Sequence, residues 1–476
     1  MSLRPTAGVI SYGEALLWAM RLRELSLGNA GYLHRLSRKQ QRPWAELRDE
    51  QWAKVRRMVE HAYAHTTYYR RLFDTSGIDP HRVETAEDFA RLPLLTRDVL
   101  RNQGEELLDR RLAHAQLIAA DSSGTTDTPV RVYTDRASLE RKWGAALVVR
   151  RQFAQWRPLD RICYLWGARQ DLTFHSTSVL RRLLKEPVLR TLELYSSHLT
   201  PERLSQYAAE LVRFRPSVIL AYPTPMYLLA EHIAAHKLKT SAPRIITTTA
   251  EPLYDYQRER IQEVFGCPVI DQYGAREGGL IASECLHRKG LHINTETVLV
   301  EIVDTTTNCP VPPGTLGKVL ITDLQNLAMP LIRYEMRDLA ILSTRTCACG
   351  SPLPLLERLE GRLADVFQLA DGTLVPGVSL NGRIYTSGWG IKAVQVIQDD
   401  YSRFRVLLVK DETCTDEHLR QLDERFRGYF GDVEVTYVPV ERIEPEPSGK
   451  VRFCISHVPW RGVGAPQPIP QASGAQ

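Results

Sequence analysis

No stretch of this chain approaches the roughly 18 consecutive apolar residues needed to span a bilayer, and Met1 to Gly13 lacks a charged segment followed by an apolar run. Both absences predict a cytoplasmic protein with no secretory leader and no membrane partner. Charge of one sign is also scarce, since 61 basic and 56 acidic residues leave a formal excess of only +5. That surplus does not nominate a nucleic-acid partner. The densest basic stretches, Arg141 to Arg151 and Arg181 to Lys185, read as solvated helix faces, because no RNA- or DNA-binding module surrounds them. Cysteine is sparse, with eight residues in the chain. Without a leader, they read as reduced thiols or metal ligands rather than a disulfide framework. There is no internal repeat.

What is present is ordinary globular composition, 43% hydrophobic and 25% charged. A length of 476 residues exceeds what one hydrophobic core serves, so two or more domains are expected. The first 110 residues read as mainly helical, with Trp52, Val55, Met58, Val59 and Ala62 at helical spacing. From Pro201 the pattern alternates. A helix carries Leu204, Tyr207, Ala208 and Leu211, and the run Val218 to Ala221 follows; then come a helix after Pro225, a run at Ile245 to Thr248, a helix through Ile261 to Phe265, and Val269-Ile270. Strands separated by helices imply parallel pairing. Past Leu291, period-two runs at Val298, Val300, Ile302 and at Val319, Ile321 predict antiparallel strands or a small barrel. After Gly361 comes a compact α+β pattern: strands at Val394 to Val396 and Phe404 to Leu408, a helix capped by Thr415, and a strand at Val433 to Val440.

The predicted fold is therefore α/β: a large N-terminal domain (1–361) with parallel-type sheets flanked by helices plus a small antiparallel barrel-like part, and a small α+β C-terminal domain (362–458). The Pro-, Gly- and Gln-rich residues 459–476 read as a disordered tail.

Five segments carry chemistry. Ser122-Ser123-Gly124-Thr125-Thr126 offers hydroxyls and backbone N–H groups for a polyphosphate. Tyr273-Gly274 with Glu277, just past a strand, offers an aromatic face for a purine and a carboxylate for Mg²⁺. Asp338 can accept from two ribose hydroxyls. Arg362 lies where the organisation changes, and Lys450 is presented by a Pro-Ser-Gly turn. Each segment alone also reads as a structural loop, a turn or a surface ion pair.

In this order and spacing they resemble the adenylate-forming superfamily of acyl-CoA synthetases, firefly-type luciferases and peptide-synthetase adenylation domains. The chain is most similar to the branch of phenylacetate-coenzyme A ligases and capsule-biosynthesis-type relatives, over roughly residues 50 to 455. The distinctive pieces are Tyr68-Tyr69-Arg70, Leu92 to Thr96, Ala250-Glu251-Pro252-Leu253, the Tyr273 motif, and Leu324-Gln325-Asn326 leading into Met329 to Tyr334.

The resemblance implies ATP-dependent activation of a carboxylic acid, with transfer of the acyl group to the CoA thiol. Residues 122 to 126 would hold the β- and γ-phosphates. Glu251, Pro252, Tyr273 and Gly274 would surround the nucleotide, Glu277 would ligate Mg²⁺, Asp338 and Arg362 would hold the ribose, and Lys450 would bridge the carboxylate and α-phosphate. The acid would lie near Trp143, Tyr222, Thr248, Thr249 and Ala250, whose aromatic members suit a hydrophobic or aromatic acid, although such residues also build cores. Cys347 and Cys349, with Cys285 and His292, form a candidate Cys₃His set for which His287 competes with His292. The resemblance implies a structural Zn²⁺ there.

Two departures keep alternatives open. Asp127 puts a negative charge beside the phosphate loop, leaving room for a degenerate, zinc-stabilised binding protein. Ala364 occupies the expected hinge, leaving an amine or a carrier-protein thiol as acceptors beside CoA. The chain is expected to be a monomer or homodimer.

Overall fold

The structure, a computed structural model, describes residues 10–21, 30–121, 130–166, 190–196, 199–362, 366–370, 374–376, 389–444 and 452–458. Ser122 to Thr126, Asp127, Ala364, Lys450 and the tail 459–476 lie outside the described residues. No described helix is long and apolar enough to cross a membrane.

Numbered along the chain, the strands are β1 (Leu117–Asp121), β2 (Arg131–Asp135), β3 (Ile162–Trp166), β4 (Thr191–Tyr195), β5 (Val218–Ala221), β6 (Ile245–Thr249) and β7 (Val269–Ala275). They continue as β8 (Gly279–Glu284), β9 (Leu291–Ile293), β10 (Val298–Val303), β11 (Leu316–Asp323), β12 (Tyr334–Leu342) and β13 (Leu355–Arg362). Among the described residues, eleven strands form one mixed sheet in the order β10-β11-β12-β13-β9-β8-β7-β6-β5-β3-β4. Strands β3 to β7 pair in parallel, and from β7–β8 onward the pairing is antiparallel. The antiparallel part set apart in the sequence is thus continuous with the parallel strands.

Period-two geometry explains the burial. Ile162, Tyr164, Val218, Leu220, Ile245 and Ile270 face the helix Arg136–Phe153 in one core. Their neighbours Cys163, Leu165, Ile219, Ala221, Ile246 and Val269 face the helices Pro201–Phe214, Pro223–Ala235 and Asp255–Phe265 in another. Because both faces are covered, these strands read as unbroken apolar runs. The helix expected after Pro225 begins at Pro223, a residue whose fixed φ suits a first helical position.

The basic run 141–151 is helical but turned inward rather than solvated. Arg141 Nε donates to Gln325 Oε1 at 3.0 Å, Arg151 pairs with Glu14 at 3.0 Å, and the Arg150 guanidinium lies over the Trp156 ring.

The C-terminal unit has its own sheet, built from β16 (Ile391–Asp400), β17 (Arg403–Lys410), β18 (Glu434–Pro439) and β19 (Cys454–Ser456), after the short pair β14 (Val366–Gln368) and β15 (Leu374–Pro376). The Thr415 hydroxyl caps the helix Asp416–Phe430. Phe404, Phe426 and Phe430 from helix and sheet fill a core separate from the others.

One buried cation fastens the helical entry segment to the large sheet. Arg333 is 1% exposed. Its guanidinium pairs with Glu301 at 3.1 Å and donates to the carbonyls of Ala90 at 2.5 Å and Leu92 at 2.6 Å. Leu95 then bonds the backbone on either side of Tyr334. Replacing Arg333 by Met strands the Glu301 carboxylate and two carbonyls. The expected loss is about 3–5 kcal/mol of unfolding free energy, read by urea denaturation.

Candidate active site

The site residues collect where the parallel strands end, the rim at which ligands of such sheets bind. Strand β6 ends at Thr249, and Ala250 turns the chain away with φ +74°, a left-handed conformation costly for a residue with a Cβ. Glu251 anchors this turn: its Oε2 accepts the backbone N–H of Thr224 at 3.2 Å, placing a carboxylate at the start of the helix Pro223–Ala235. Pro252 follows, half-buried. The hydroxyl of buried Thr248 is committed to the protein, donating to Asp271 Oδ1 at 2.7 Å. Desolvation, then the neighbouring Glu284 carboxylate, pushes Asp271 up to about 7. Glu284 is in turn gripped by Arg258 through bonds of 2.9 and 3.0 Å.

The β7–β8 hairpin carries the next group. Tyr273 donates its hydroxyl to Asp338 Oδ2 at 2.5 Å, joining β7 to β12 across the sheet. Asp338 sits within β12 and pairs in register with Arg362. Gly274 sits close to the opposite strand, where an added Cβ would stand 3.0 Å from the Gly279 carbonyl oxygen. Glu277 lies in the tight turn between the strands and is buried. Its Oε1 accepts from the Tyr334 hydroxyl at 3.5 Å, and burial, reinforced by that carboxylate, raises the Tyr334 phenol above its usual range.

Aromatic residues stand on the same rim. Tyr222, following β5, packs against Trp166 at the end of β3, with ring centroids 4.6 Å apart at 47°. Trp143 and Trp166 pack against one apolar cluster. Sequence reasoning omitted Trp166; its place as the last residue of an apolar strand in a parallel series was the signal available. Thr249 is half-buried beside this group, in register with Gln272.

Cys285, His292, Cys347 and Cys349 converge, all buried, with their ligand atoms within 4.8 Å of one another. His292, not His287, completes this set. The Cys285 and Cys347 sulfurs are 3.6 Å apart, and Cys349 Sγ is 3.3 Å from His292 Nε2. A disulfide would need about 2.05 Å, whereas tetrahedral thiolates about 2.3 Å from a zinc ion stand about 3.8 Å apart. The His292 ring stacks on Phe153 at 4.3 Å. Donor type, spacing and closure therefore fit a tetrahedral zinc.

The family model described as AMP-binding enzyme matches residues 191–328, and the one described as CapK C-terminal domain matches residues 368–457. Protein CapK of Staphylococcus aureus is 23% identical over 396 residues, covering 82% of this chain and 85% of that protein. A phenylacetate-coenzyme A ligase of Thermus thermophilus is 27% identical over 347 residues, covering 70% and 74%. The crystal structure of a 2-hydroxyisobutyryl-CoA ligase, in the postadenylation state with 2-HIB-AMP, shares the fold with a TM-score of 0.71 at 19% identity, over 87% of this chain and 90% of that one. Fold, rim residues and both matched segments agree in what they resemble: the chain is similar to the adenylate-forming branch that holds the phenylacetate-coenzyme A ligases and CapK.

Proposed function

We propose that this protein uses ATP to activate a hydrophobic or aromatic carboxylic acid and passes the acyl group to the thiol of coenzyme A. The observation that carries the reading is the convergence, on one rim, of the Ala250–Glu251 turn, the Tyr273–Asp338 bond and the buried Glu277. The similarity to phenylacetate-coenzyme A ligases supports CoA as acceptor.

In the first half-reaction a carboxylate oxygen of the acid attacks the α-phosphorus, and the bond to the bridging oxygen of pyrophosphate breaks. In the second, the CoA thiolate attacks the acyl carbon and AMP leaves. Tyr273, Gly274, Glu251 and Pro252 would enclose the adenine. Asp338, oriented by the Tyr273 hydroxyl, would accept from the ribose hydroxyls, with Arg362 beside it in register. Residues 122 to 126 would cradle the phosphates. Glu277 offers the hard oxygen donor that magnesium takes when only one or two carboxylates join phosphate oxygens around it. Magnesium, bound with the nucleotide, supplies neutralisation of the phosphate charge. Lys450 would add a positive charge where the attacking carboxylate meets the α-phosphate. Trp143, Tyr222 and Trp166, with Thr249 and Ala250, would wall the acid.

In this reading residues up to 361 form the large domain, and 362–458 form a small one that moves between the two half-reactions. The four-residue Cys/His set would hold a structural zinc, since all four positions are filled by protein donors.

Carboxylate-dependent pyrophosphate exchange across a panel of acids tests the reading, with strongest exchange expected for arylacetic and other hydrophobic acids. Absence of exchange with every acid, together with undetectable ATP binding, would instead mean a degenerate binding protein. Mass spectrometry after adding CoA should reveal a thioester. Exchange without a thioester would point to an amine or a carrier-protein thiol as acceptor. Lys450→Ala should slow adenylation about 10²-fold while sparing thioester formation from supplied acyl-adenylate. Metal analysis should return about one zinc per chain, lost in the Cys347→Ser, Cys349→Ser double variant; a folded, zinc-free wild-type protein would remove zinc from the account.

A further inference from the structure

We propose that Lys142 is a positioning residue that sets the backbone of the Glu277 turn and so aims the magnesium-binding carboxylate. This rests on the reading of Glu277 given above. Lys142 lies in the helix Arg136–Phe153, and its side chain is 11% exposed. Its ammonium forms an ion pair with Asp323, whose side chain is 0% exposed, and donates to the carbonyl oxygen of Glu277 at 3.0 Å. Asp323 is fixed in turn, because its Oδ1 accepts the backbone N–H groups of Gln325 at 3.0 Å and Asn326 at 3.3 Å. One ammonium therefore ties three elements: the helix, the β7–β8 turn and the end of β11.

The turn is shaped to receive this side chain. Gly279 has φ +70°, and a Cβ there would meet the Lys142 stem at 3.7 Å. Gly278 is pressed against β11, where an added Cβ would come within 2.8 Å of Ile321. Glu277 is thus held at both ends, its carbonyl by Lys142 and its carboxylate by the Tyr334 hydroxyl. A charge so buried and already paired with Asp323 serves geometry rather than the nucleotide. A misplacement of about 1 Å in such a ligand costs a large factor in rate.

Three variants test the role: K142M, K142R, and the charge-balanced double variant K142M/D323N, which removes the stranded carboxylate along with the lysine. The readouts are thermal unfolding and the magnesium concentration giving half-maximal pyrophosphate exchange, with E277Q as the reference. The double variant should fold yet need ~10-fold more magnesium, the usual scale for losing a group that orients a metal ligand. K142R, which keeps a cation for Asp323 and a donor for the carbonyl, should restore most of that loss. A folded double variant with an unchanged magnesium requirement would overturn the proposal. So would an unfolded double variant beside a folded K142M protein of lowered stability and normal magnesium requirement, which would leave Lys142 a purely structural role. If E277Q itself leaves the requirement unchanged, the reading of Glu277 falls. If E277Q shifts it and the lysine variants do not, only the role of Lys142 falls.

Discussion

The site depends on where the sheet changes sense. Strand β7 accepts β6 in parallel on one side and β8 antiparallel on the other, so it is both the last member of the helix-covered series and the first of the hairpin series. A parallel neighbour brings strand ends to one rim, whereas an antiparallel neighbour lets the chain return at once through a tight turn. Asp271, Tyr273 and Glu277 therefore come from a single strand and the turn after it, bonded to Thr248 on β6 and, across the sheet, to Asp338 and Tyr334 on β12.

Buried ion pairs do the fastening around this strand. Arg333 with Glu301 ties the entry segment to β12, Lys142 with Asp323 ties the helix to β11, and Arg258 with Glu284 ties the helix Asp255–Phe265 to β8. Such pairs add little net stability over apolar residues of similar size, because desolvation offsets their attraction. Their value is positional, since the bonds have direction. In all three cases the cation also donates to backbone carbonyls of a neighbouring loop or strand, which an apolar substitute could not do.

Much of the parallel part of the eleven-stranded sheet is legible in the sequence because its signal is local. The runs Val218 to Ala221 and Ile245 to Thr248 are apolar on both faces, and the structure places strands there. What escaped is non-local. Continuity of β8 to β13 with the parallel strands rests on pairings such as Gln272 with Ser283, which no periodicity reports. The basic run 141–151 looked solvated because its acidic partners, Asp323 and Glu14, lie far away in sequence. Spacing could not choose between His287 and His292. The choice follows from β9, where His292 is paired in register between Ser283 of β8 and Leu355 of β13. The expectations for residues 122 to 126 and for Lys450 rest on residue order alone.

The Cys/His set bears on the site through these same strands. Cys285 directly follows β8, eight residues after Glu277, roughly 25 Å of extended chain away, so a metal there is too distant to meet a nucleotide at the rim. A metal held by the four side chains would instead pin the far end of β8 to β9, and through the Leu355 pairing to the start of β13, the strand that runs on to Arg362. Phe153, stacked on His292, closes the arrangement from the other side. It ends the helix whose Lys142, three turns earlier, holds the carbonyl of Glu277. One helix thereby brackets β8, meeting the turn before it through an ammonium and the Cys/His cluster beyond it through a ring. A strand held in this way lets a single buried carboxylate keep its aim.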